Sequence, residues 1–70
     1  MKREDAIAFL KEITANHVLL QPNWISLVNG LAGYEVHIKP DDADLDLLKP
    51  VVKNRALSLK EADGLIIIHG

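Results

Sequence analysis

The chain reads as an α+β fold: two helices packed on one face of a small antiparallel sheet of four to five strands, in the order α-β-β-β-α-β-β. Three observations point there. Helical apolar spacing occurs near the start, short β-rich stretches are set off by turn residues, and one local spelling occurs twice. Phe9-Leu10-Lys11 leads through Ile13 to Asn16-His17-Val18-Leu19 and an apolar stretch ending at Asn29-Gly30. Leu47-Leu48-Lys49 leads through Val51 and Val52 to Asn54-Arg55-Ala56-Leu57 and a stretch ending at His69-Gly70. Leu10/Leu48, Lys11/Lys49, Asn16/Asn54 and Leu19/Leu57 coincide at one offset, and Gly30/Gly70 follow two residues out of step. Each copy reads as a helix closed by Asn and followed by two strands, so two helix-plus-hairpin units share one sheet.

The first helix covers Glu4 to Ala15. Ala6, Phe9, Leu10 and Ile13 fall on one face, Glu4 and Asp5 suit the positive end of the macrodipole, and Asn16 closes it. His17 to Gln21 is a short apolar strand, and Pro22-Asn23 a turn. Trp24 to Val28 is a second strand, with Asn29-Gly30 as a two-residue hairpin turn. The third strand alternates Tyr34, Val36 and Ile38 with Glu35, His37 and Lys39. Trp24, Leu27, Val28 and Leu31 also fit a helix over this region, but an internal Asn-Gly would be costly there and strands are preferred.

Lys39-Pro40 ends the strand. Asp41 or Asp42 then caps a second helix carrying Leu45, Leu48, Val51 and Val52. Pro50 removes the bond to the carbonyl of Asp46, so this helix either kinks or consists of two short pieces. Ala56 to Leu59 and Leu65 to His69 are the last strands, joined by a loop over Lys60 to Gly64. Ser58 and Glu61 have capping-box spacing, but a loop is preferred. The expected core is Phe9, Leu10, Ile13, Leu19, Trp24, Leu27, Val36, Leu48, Val52, Leu57, Ile66 and Ile68.

At 70 residues, the chain is one domain over 1–70 with a small core. The absence of cysteine removes disulfides, thiolate metal sites and cysteine nucleophiles, which leaves packing or oligomerisation to stabilise it. A net charge of −2 gives no general attraction to phosphate backbones or anionic membranes. The charged start Met1-Lys2-Arg3-Glu4-Asp5 and the lack of a long apolar run lead to the expectation of a soluble, cytoplasmic protein without a membrane partner.

Chemistry-bearing patterns are sparse. Asp42, Asp44 and Asp46 open like a calcium loop, but position six is Leu47 and position twelve Lys53, where such a loop needs Gly and Glu. His17, His37 and His69 lack the local spacing of metal ligands. Ser26, Ser58 and Thr14 stand in no nucleophile motif. No catalytic residue, cofactor or metal is assigned, and the chain reads as a non-enzyme.

Two functional expectations remain. Leu65-Ile66-Ile67-Ile68 is aliphatic on both faces of its strand, which suggests a homodimer or another protein partner. Trp24, Tyr34, Leu65, Ile67 and His69 are the interface candidates, through the sheet face or through pairing at the edge of that last strand. The alternative is a nucleic-acid-binding accessory protein using Lys49, Lys53, Arg55 and Lys60.

Overall fold

The computed structural model describes residues 1–20, 25–30 and 33–70. Its elements are α1 (Arg3–Ala15), β1 (Ile25–Gly30), β2 (Gly33–Ile38), a 3-10 turn (Pro40–Asp42), α2 (Leu45–Asn54), β3 (Ser58–Ala62) and β4 (Leu65–His69). The strands form one antiparallel sheet in the order β1-β2-β4-β3. Two helices and a four-stranded sheet make the expected α+β fold.

Each helix follows its apolar stripe. Ala6, Phe9 and Ile13 are buried in α1, and Leu48 and Val52 in α2. They meet Val36, Ile38, Ile66 and Ile68, all fully buried, in a single core. Full burial of a large aliphatic or Phe side chain stabilises by ~1.5–3 kcal/mol, so this small set dominates the favourable side of folding. Ala6, Val18, Ile38 and Ala43 join the core beyond the expected residues. Leu27 does not: it is 37% exposed on the edge strand β1. Leu10, Leu19 and Leu57 pack at the core's margin, and Trp24 lies outside the described residues.

The two helix-plus-hairpin units are present, but their register differs from the letter match. His17 and Ala56 both adopt left-handed backbone, with φ 56° and 54°. Their equivalence sets an offset of 39 residues (17 to 56), which pairs Phe9 with Leu48 and Ile13 with Val52, buried residue with buried residue. The repeated letters match one residue earlier because Leu and Lys are common, whereas burial is what the units share.

Local boundaries shift for identifiable reasons. Residues 18–20 are not a sheet strand. They pair with the approach to α2 through Leu20 N–H to Asp42 O (2.7 Å), Asp44 N–H to Val18 O (2.8 Å) and a Leu19–Ala43 bridge. Neither Asp41 nor Asp42 caps α2. Asp44 does, its Oδ1 accepting from Asp46 N–H at 3.0 Å. The helix then runs unbroken through Pro50, as one piece. Asn29 and Gly30 belong to β1 and pair with Tyr34 and Gly33, so Asn29-Gly30 is not the expected turn. The second hairpin is tighter than the expected loop: β3 runs to Ala62, and the connection is Asp63-Gly64 alone, with φ 54° and 73°. Two positive φ values are what a type I′ turn requires, and Asp-Gly is among its favoured spellings.

Candidate functional site

Both helices cover the same face of the sheet, which leaves the other face without a described layer. Side chains alternate along a strand, so Val36, Ile38, Ile66 and Ile68 point to the helices and their neighbours in sequence point away. A row Ser26–His37–Ile67–Lys60 therefore crosses the face away from the helices, one residue from each strand, and at its centre Ile67 is only 8% exposed, closed in by its neighbours' side chains. Leu65 and His69 extend this face along β4, Val28 and Glu35 along β1 and β2.

Leu65, Ile67 and His69, three of the candidate interface residues, are thus brought together. Tyr34 is not with them. It shares the strand parity of Val36 and packs against the core on the helix side. Its backbone N–H donates to Met1 O (2.8 Å) and its carbonyl accepts from Met1 N (3.2 Å). Trp24 is outside the described residues. The last strand is also not an edge: β4 lies between β2 and β3, which pair with it on both sides. Edge pairing through β4 is ruled out, and the edges are β1 and β3. The helix-plus-hairpin pattern could not reveal this, because it says nothing about which hairpin strand turns inward.

The polar content of the face centres on Glu35 and His37. They sit two apart on β2, with Oε1 and Nε2 separated by 3.2 Å, and both are half-buried. Ser26 is the cross-strand neighbour of His37, yet no hydrogen bond among the described residues joins them. His69 Nδ1 lies 3.0 Å from the carbonyl oxygen of Gly70. His17 is remote, exposed at the exit of α1. Among the described residues, no three His, Asp or Glu side chains converge as a metal site would require. Asp44 and Asp46 are explained by the start of α2.

The basic residues do not form one patch. Lys49 and Lys53 are exposed on α2, in the helix layer, whereas Lys60 pairs with Ile67 on the opposite side of the sheet. Arg55 is engaged with Glu12, its Nε and Nη2 at 2.7 and 2.6 Å from Oε1. Two open concavities, of about 280 and 220 Å³, are lined by Asp5, Arg55 and Leu57 and by the Asp63-Gly64 turn. Both fall below the ~300 Å³ at which small-molecule sites begin. No helix among the described residues is long and apolar enough to cross a membrane.

The chain matches no protein-family model, no curated protein and no solved structure.

Proposed function

We propose that this protein is a small, cytoplasmic, non-enzymatic interaction module that self-associates through its β-sheet. The observation that supports it is the one-sided layering. A sheet with one solvated face ordinarily alternates apolar and polar residues, but β4 is apolar on both faces at Leu65–Ile68. The described residues place both helices on one face of the sheet, and a second copy would cover the other face or extend the sheet. Molar mass by light scattering over a concentration series tests the reading. Growth from 7.8 kDa toward twice that value is expected; 7.8 kDa throughout, in a folded sample, would refute it.

The nucleic-acid alternative has less support. It needs a continuous positive surface, and Lys60 lies across the sheet from Lys49 and Lys53, with Arg55 paired to Glu12.

A further inference from the structure

The geometry points to β1 as the contact: two copies pair β1 with β1, antiparallel about a two-fold axis through Leu27, to make one continuous eight-stranded sheet. This rests on the self-association proposed above and assigns it to one edge. Tyr34 supplies the first part of the argument. Both its backbone groups bond Met1, which lies beside Gly70 at the end of β4, so they point away from β1. Asn29–Tyr34 is therefore a non-hydrogen-bonded pair of the β1–β2 ladder. Alternation makes Leu27–Val36 and Ile25–Ile38 the same. The N–H and C=O groups of Ile25, Leu27 and Asn29 consequently face the open edge, and no hydrogen bond among the described residues uses them.

This spacing is self-complementary. A two-fold through Leu27 sets Leu27 opposite its own copy and Ile25 opposite the copy's Asn29, each pair exchanging both bonds. Side-chain faces agree as well. Leu27 meets Leu27 on the helix side, and Ser26 meets Val28 on the uncovered side. Leu27 and Val28, 37% and 36% exposed, both gain apolar or small neighbours.

The two edges differ in charge. β1 reads Ile-Ser-Leu-Val-Asn-Gly, with no charged residue to repel a copy. β3 reads Ser-Leu-Lys-Glu-Ala, and pairing centred on its middle residue sets Lys60 against Lys60. Charges on an edge strand are a common protection against such pairing, and β1 lacks them.

The test uses the full chain. Leu27→Lys sets two like charges opposite each other and should halve the dimer mass at equal concentration, with far-UV circular dichroism unchanged. Ile67→Lys should leave the mass dimeric. Because the chain has no cysteine, Leu27→Cys should form a covalent dimer on mild oxidation, whereas Glu61→Cys on the other edge should not. The cysteine pair decides the matter if Leu27→Lys fails to fold. A dimer that survives Leu27→Lys, or one lost only in an Ile67→Lys variant whose circular dichroism shows it folded, overturns edge pairing while leaving self-association standing. A monomeric wild type overturns both.

Discussion

His17 and Ala56 hold the same place in the two units, each in left-handed backbone just after a helix C-cap. After each, the next N–H returns to a helix carbonyl: Val18 to Ile13 at 3.1 Å and Leu57 to Val52 at 2.9 Å. This ends the helix and sends the chain back over the core. A left-handed L-residue costs ~1–2 kcal/mol, which glycine avoids while losing ~0.5–1 kcal/mol through its freer unfolded chain. Both side chains are exposed. Ala56→Gly and His17→Gly should therefore each raise stability by up to about 1 kcal/mol in urea titration. Destabilisation by either would show that the side chain contributes more than its backbone costs.

Pro50 offers a second gain. It sits inside α2, exposed, where it removes the bond that residue 50 would make to the Asp46 carbonyl. Proline is less favourable than alanine in a helix interior by about 3 kcal/mol. Pro50→Ala should raise the urea midpoint, by ~1–3 kcal/mol of stability, with no change in m-value. No gain would mean that the helix is already adapted to the proline.

Gly33 and Gly64 both have positive φ, but their surroundings differ. A Cβ at Gly64 would meet nothing within 4 Å, so Gly64→Ala should cost only the backbone term, ~1 kcal/mol. A Cβ at Gly33 would lie 2.8 Å from the Met1 carbonyl oxygen. Gly33→Ala should cost clearly more and free the Met1–Tyr34 bonds, seen as faster hydrogen exchange at the Tyr34 amide. Equal costs at the two glycines would contradict this packing.

Phe9 and Leu48 are equivalent, fully buried positions of the two helices. Phe9→Ala should cost ~3–5 kcal/mol and Leu48→Ala ~2–5 kcal/mol. A domain of this size has roughly 4–10 kcal/mol in all, so thermal melts should show either variant largely unfolded by about 37 °C. Leu10→Ala, at the margin of the core, should be distinctly milder. Similar melting temperatures for all three would deny that the core is centred where the burial places it.

The elements and the buried stripes were legible because both are local. Phe9, Ile13, Leu48 and Val52 recur at helical spacing, and Val36 and Ile38 alternate with polar neighbours, whatever the chain does elsewhere. The Asp63-Gly64 turn is equally local: its spelling is a hairpin signal, which the longer loop expected over Lys60 to Gly64 overlooks. Asn29-Gly30 misled because the same signal can lie within a strand when pairing continues to Gly33.

The candidate site was legible only in part. The aliphatic run at Leu65–Ile68 marks a strand apolar on both faces, and Leu65, Ile67 and His69 do share one of them. That β4 is central, that Tyr34 faces the helices and that Lys60 stands across the sheet from Lys53 depend on which strands become neighbours. The sequence by itself determined both helices, the strands of β2 and β4 and the apolar stripes of α1 and α2, since these follow from side-chain period. Only the tertiary structure decided strand order, the covered face and the hydrogen-bond phase that leaves Leu27 at an open edge. Those are set by pairing and packing between residues far apart in the chain, about which local spacing carries no information.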